Sequence, residues 1–319
     1  MKAKALTGAN LGLLLLLACL WGIAFMFIRL GLEGPSFSPV LFAALRFDVA
    51  GAVVLAVALA RKSPLRPRGR KQWIAIGVAA VFNVTLYHAL LFWGEVHTSA
   101  AVGAVIVGLN PLLTTLLSRW LLSDERVGLG GVLGLGLGLA GIVILALLKG
   151  GSLLDVRGVA ELACLGAILA WSTGSILVRR TQHGMDVFAF TAWQMLVGAA
   201  ILHVSSLVFD PLIDPARGAF AVWDLDGVLS LLYLAVVSSA VGFVIYFTLL
   251  ERVGPIRVNL VSNVAPLFAA LAGFLILGEA FELRTLLAFA LILTGFVLVA
   301  RPAKAPPQEP APPIPAEEG

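Results

Sequence analysis

Four ionisable side chains, Arg46, Asp48, His88 and Glu95, stand in or at the ends of long apolar stretches. At membrane depth even insertion scales charge about 2.5 to 3.5 kcal/mol for such a group, so each marks a site of function by default. His88 and Glu95 are seven residues apart and share one stripe of a helix, with Thr85 three residues earlier. Imidazole takes up and releases protons near neutral pH, and a carboxylate on its own stripe would modulate that. His88, Glu95, Asp48 and Arg46 are therefore the candidate coupling groups; the alternative is that His88 packs and that Glu95 and His97 belong to an interface. Arg46 and Asp48, two apart, fall on nearly opposite helix faces and do not neutralise each other. Arg46 sits about 10 Å from its helix end by helical rise, within reach of snorkelling, whereas Asp48 lies deeper. His203, nearer a span end, is a weaker candidate.

A second set could hold an organic solute. Asn110-Pro111 interrupts the apolar run 100–117, and Pro266, 155 positions later, interrupts 258–275. A proline lacks the N–H that would bond four residues back, leaving the carbonyls of Val107 and Ser262 free; in lipid such backbone is tolerated where it faces protein or a wet cavity. Asn110 and Thr114 share a face of one run, Asn259 and Asn263 a face of the other. Paired interruptions in two halves point to a transporter's binding site, the alternative being two simple kinks. Trp21 with Phe25, Tyr87, Trp171, Phe243 and Tyr246 place rings away from the span ends, where they suit an amphipathic solute or plain packing. Trp73, Trp93 and Trp223 fit an interfacial belt.

The elements that must position these residues follow from composition. With 60% hydrophobic and 13% charged residues in 319, and a mean hydropathy of +1.01, the chain reads as an all-α polytopic membrane protein. Runs long enough to span fall ten times, at about 10–30, 38–60, 72–92, 98–118, 128–148, 158–178, 187–208, 227–249, 256–277 and 283–300. With the N-terminus cytoplasmic, sixteen of the 22 Lys and Arg lie on the inner side, among them Arg61, Arg70, Arg179 and Arg252. Arg29, Lys149, Arg157, Arg217 and Arg284 lie outside, so both termini are expected to be cytoplasmic. The run after Lys2 and Lys4 continues through Trp21 to Leu30, too long for a cleaved signal and right for a retained span.

Ten spans divide into two sets of five, and an odd number per repeat inverts the second set. Residues 1–148 form the first repeat, 149–301 the second, and 302–319 a proline-rich tail expected to be disordered and cytoplasmic. Matching landmarks keep their order: Trp21, Arg29, Pro111, Glu125 and Gly141 against Trp171, Arg179, Pro266, Glu279 and Gly295. Gly130, Gly134 and Gly138 in the fifth span allow close helix approach, either within the chain or in a homodimer. Cys19 and Cys164 lack metal-ligand spacing, and there is no Walker A loop, HExxH or GxSxG motif. No cofactor, metal, catalytic residue or nucleic-acid partner is expected.

The ordered features Trp21-Gly22-Ile23-Ala24-Phe25, Leu45-Arg46-Phe47, Pro111 and Asp124-Glu125-Arg126, then Trp171, Arg179-Arg180, Pro266, Gly278-Glu279 and Gly295, resemble the drug/metabolite transporter superfamily, specifically EamA-type ten-helix permeases. The likeness covers about residues 10 to 301. It implies two inverted five-helix repeats around a central cavity in the cell (inner) membrane. The function implied is secondary transport, usually export, of amino acids, other metabolites or toxic amphiphiles by alternating access. Trp171-Ser172-Thr173-Gly174 departs from the Trp-Gly start of the first half. The competing readings are a membrane-embedded enzyme using His88, Glu95 and His97, and a sensor or structural protein acting through its tail.

Overall fold

The computed structural model describes residues 8–32, 37–98, 106–122, 156–181, 184–213 and 218–277, with positions 103, 133, 137, 287, 290, 291 and 294 in addition. Uninterrupted runs of Leu, Ala, Val, Ile and Phe with no backbone partner outside the segment form helices, since in lipid only internal bonding satisfies every N–H and C=O. These are α1 (Gly8–Leu32), α2 (Pro39–Ala60), α3 (Arg70–His97), α4 (Asn110–Leu122), α5 (Val156–Thr181), α6 (Val187–Ile213) and α7 (Leu225–Val253). A helical turn, Pro255–Val258, then leads into α8 (Val261–Leu277). Among the described residues six helices are long and apolar enough to cross a membrane, at the first, second, third, sixth, seventh and eighth expected spans. The glycine ladder, most of the fifth and tenth spans and the proline-rich tail lie outside the described residues, as do the side chains of Asn263 and Pro266.

Side-chain ties mark two ends of the bundle: α2, α4, α5 and α7 finish at one of them, and α6 starts there. At the basic end, Arg61 lies over the Phe188 ring, 4.5 Å from its centre, Arg179 Nη1 donates to the Glu251 carbonyl at 2.9 Å, and Arg180 Nη1 to the Leu121 carbonyl at 3.3 Å. At the opposite end Asp210 of α6 caps α2, accepting from the Val40 and Leu41 amides (both 3.0 Å) and from Ser38 Oγ (2.8 Å). These first-turn donors have no partner within their own helix, and Pro39 adds none. Ser38 and Phe37 also tie to Phe220 and Ala221 through the backbone. α7 is capped locally instead, Asp224 accepting from the Gly227 amide at 2.8 Å.

Close approach of backbones sets the bundle. A Cβ on Gly22 would meet the Ala265 carbonyl oxygen and stand 2.6 Å from Phe268 Cβ, so only glycine lets α1 lie this near α8. A Cβ on Gly242 would stand 2.5 Å from Trp21 Nε1, fixing how deeply that indole seats.

Two helices depart from α geometry at related places. α3 runs as a π-helix over Ala79–Leu86, and α7 over Tyr233–Val241. The two segments stand apart by a spacing that matches, within one residue, the 155 between Pro111 and Pro266. Each ends immediately before cavity residues, Tyr87 and His88 in α3 and Phe243 in α7. π-turns commonly mark functional sites in helices.

The proline interruptions differ from the expectation. Gly108 and Leu109 form a turn, and α4 begins at Asn110, so Pro111 occupies a first-turn position where its missing N–H is harmless. Pro266, by contrast, lies inside the continuous α8, and the break in this half is the turn at Asn259 and Leu260. The two turns, at 108–109 and 259–260, stand 151 positions apart and so do correspond in the two halves, whereas the prolines fall at different places in the helices that follow.

Candidate solute-binding site

A cavity of about 40 Å³ lies between the helices, room for about three waters. Trp21, Phe25 and Ile28 of α1, Tyr87 of α3, Trp171 of α5 and Phe243 of α7 form its aromatic and aliphatic wall. Arg46, His88, Asn110, Ser238 and Ser262 bring polar groups to the same space. The rings are mutually ordered: Trp21 meets Trp171 edge-on at 5.4 Å between centroids, and Tyr87 lies 4.8 Å from Trp171. Trp171 also meets Phe243 edge-on at 5.6 Å. Such edge-to-face packing holds rings in fixed orientations. Trp21 Nε1 donates to the Ser238 carbonyl at 3.0 Å, anchoring the indole to the π-segment of α7.

Between this cavity and the basic end lies a buried hydrogen-bond network. Asn110 Oδ1 accepts from Ser172 Oγ at 2.6 Å and from Thr114 Oγ1 at 3.2 Å, while Asn110 Nδ2 donates to Ser262 Oγ at 3.2 Å. Thr114 Oγ1 also lies 2.9 Å from Ser172 Oγ and accepts from Asn259 Nδ2 at 2.8 Å. Asn259 Oδ1 accepts from Tyr246 OH at 2.9 Å and Trp171 Nε1 at 3.3 Å. Ser175 Oγ and Tyr246 OH share a bond of 2.6 Å, and Asn83 Nδ2 donates to the Trp171 carbonyl at 3.0 Å. Asn83, Ser172, Ser175, Tyr246 and Asn259 are all fully buried. Partners drawn from α3, α4, α5, α7 and the residues before α8 tie these helices together, although Asn83 Oδ1 is buried without a partner.

Of the residues expected to bind solute, Trp21, Phe25, Tyr87, Asn110, Trp171 and Phe243 converge on the cavity. Thr114, Tyr246 and Asn259 instead belong to the network behind it. Of the coupling candidates, Arg46 and His88 line the cavity. Arg46 does not snorkel: it is 3% exposed, donating Nε to Ser239 Oγ at 2.6 Å and Nη2 to Ser238 Oγ at 3.1 Å. Two hydroxyls of α7 accept from it in place of the membrane surface. His88 is buried, with Nδ1 2.9 Å from the Val84 carbonyl and its ring edge-on to Phe47 at 4.5 Å. Glu95 is buried beside Gly103 and does not line the cavity, so one stripe of α3 carries His88 to the cavity and Glu95 elsewhere. Asp48 is 44% exposed and paired with His203 Nε2 at 2.6 Å, on the other side of α2 from Arg46. His97 Nδ1 lies 3.1 Å from the Trp93 carbonyl, and neither His97 nor Glu95 lines the cavity with His88.

Ser172, Ser175, Asn83, Ser238, Ser239 and Ser262 were not singled out in the sequence. The adjacent hydroxyls Ser238-Ser239 inside an apolar span were the available signal.

A model of the EamA-like transporter family matches this chain twice, over residues 10–147 and 158–301. The chain is 31% identical to the uncharacterized inner membrane transporter YedA of Escherichia coli K12, over 90% of this chain and 89% of that one. It is 29% identical to the uncharacterized transporter YvbV of Bacillus subtilis, over 92% of each. It is also 29% identical to a chloroplastic WAT1-related protein of Arabidopsis thaliana, over 88% of this chain and 67% of that protein. A solved crystal structure superposes with a TM-score of 0.68 at 23% identity, covering 92% of this chain and 96% of the other, a likeness of fold.

Proposed function

The chain belongs to the EamA-like transporter family, and from that premise we propose that it is a secondary transporter that exports small organic solutes by alternating access through this cavity. The observation that carries the reading is the cavity itself, lined from both family matches and backed towards the basic end by the buried side-chain network. Hydroxyl, amide and indole partners can exchange for one another or for water as helices shift, which is what a gate requires. The basic end is the cytoplasmic one by the distribution of Lys and Arg, so the network is the inner gate. A cavity of this size admits a metabolite only as the helices part. In this reading each half is a five-helix repeat, the second inverted by the odd number, and the two family matches support the division.

His88 supplies proton coupling in this reading. The titratable or charged groups sharing the cavity with it are Arg46 of α2 and Tyr87 of its own helix. The fifth-span glycines serve packing within the chain or a homodimer, and the tail 302–319 is dispensable for transport.

The test is counterflow of a broad panel of amino acids, other metabolites and amphiphiles in liposomes containing the purified chain. Trp171→Leu should abolish flux of every solute that the wild type moves, while Trp223→Leu, at an indole 61% exposed, should leave it intact. Equal flux in both variants, or none in the wild type, would sink the reading.

A further inference from the structure

Building on transport through this cavity, we infer that the solute is an organic anion whose carboxylate docks on Arg46 and whose apolar body lies among the rings. The guanidinium stays charged and offers five N–H donors in a planar fork. Two are used, Nε and one of Nη2, and both acceptors are neutral serine hydroxyls, Ser239 and Ser238. The faces of Phe47 and Phe92, 5.3 and 5.7 Å from Arg46 Cζ, offset part of the charge without accepting those protons. Among the described residues no carboxylate pairs with Arg46, and Asp48, two residues on, is committed to His203 across the helix. A buried cation without a counter-ion is held at a cost that an anionic ligand relieves. The fork geometry matches a carboxylate, which it can hold through two parallel bonds.

Selectivity follows from what else lines the space. Among the described residues no Asp or Glu does, so an ammonium would meet a fixed positive charge with no acid there to offset it. An amine is disfavoured outright, and an amino acid loses at one end what it gains at the other. The serines behind the fork are themselves held, Ser238 through its carbonyl by Trp21 Nε1 at 3.0 Å, so the guanidinium is pre-positioned between its acceptors and the aromatic wall.

Three probes with one body separate the charges: 3-phenylpropanoate, phenylalanine and phenethylamine, titrated against the purified full chain by tryptophan fluorescence. The wild type should bind 3-phenylpropanoate about tenfold or more tightly than either of the others, a difference of about 1.4 kcal/mol. Arg46→Gln should remove that preference, and Arg46→Lys should keep part of it, since it keeps the charge and loses the fork. Because Arg46→Gln removes a buried network partner and can fail to fold, the wild-type series decides the charge by itself, and Ser239→Ala provides a milder loosening of the fork. Tighter binding of the amine or the amino acid, or binding of none of the three, overturns the assignment. Transport of other solutes through the cavity would then still stand, because the counterflow panel tests it separately. Unchanged 3-phenylpropanoate affinity in a folded Arg46→Gln would equally refute Arg46 as the docking group.

Discussion

Replacing Asn110 with Leu keeps the volume of the side chain and removes its amide, and the hydroxyl protons around it determine the cost. Ser172 donates its single proton to Asn110 Oδ1 at 2.6 Å; Thr114 can turn its own from Asn110 to Ser172 Oγ, already 2.9 Å away. Thr114 therefore loses nothing, whereas Ser172 loses its acceptor and Ser262 loses the amide donor at 3.2 Å. Two bonds go, each worth about 0.6 to 1.7 kcal/mol between membrane helices, giving a destabilisation of about 1 to 3 kcal/mol. Purified Asn110→Leu should thus fold and melt earlier than the wild type. Its affinity for a transported solute should fall as well, by about 1 to 3 kcal/mol or roughly 5- to 150-fold, since a polar group of the solute loses a buried partner. Ser172→Ala is the control: Ser172 belongs to the network but does not line the cavity, so it should cost stability with little loss of affinity. Wild-type affinity in Asn110→Leu, or an equal loss in Ser172→Ala, would show that the amide holds helices together and does not touch solute.

Two further outcomes are expected. His88→Ala should flatten the pH dependence of flux while leaving solute exchange at one pH largely intact; an unchanged profile would return His88 to packing. In a background lacking Cys19 and Cys164, an impermeant thiol reagent on intact cells should label Ala219→Cys and spare Ser63→Cys, and the reverse pattern would invert the orientation.

How far the sequence reached is clearest at Trp21 and Trp171. Their depth within apolar runs and their parallel positions in the two halves were readable, because span length and hydropathy are local properties. That they would stand edge to face depends on Gly22 and Gly242 admitting close neighbours, which no single segment announces. Pro111 was read as breaking a helix and in fact starts one; the same residue type serves both, and the turn before it decides. The π-segments could not be read at all, since Ala79–Leu86 has the composition of any apolar helix. Likewise the partners of Arg46, Asp48 and Asn110 lie 193, 155 and 152 positions away, beyond any periodicity.

The cap on α2 has a consequence in time. Asp210 follows Val40 by 170 residues, so at about 5 to 20 residues per second roughly ten to thirty seconds of synthesis separate a helix start from the carboxylate that completes it. Throughout that interval the amides of Val40 and Leu41 must be served by water or lipid headgroups, which keeps this end of α2 near the membrane surface. The seat of α2 is settled only once α6 has entered the bilayer and delivered Asp210. The earlier-made half of the protein thus waits on the later one, and a chain that ends before residue 210 leaves these two amides without their carboxylate.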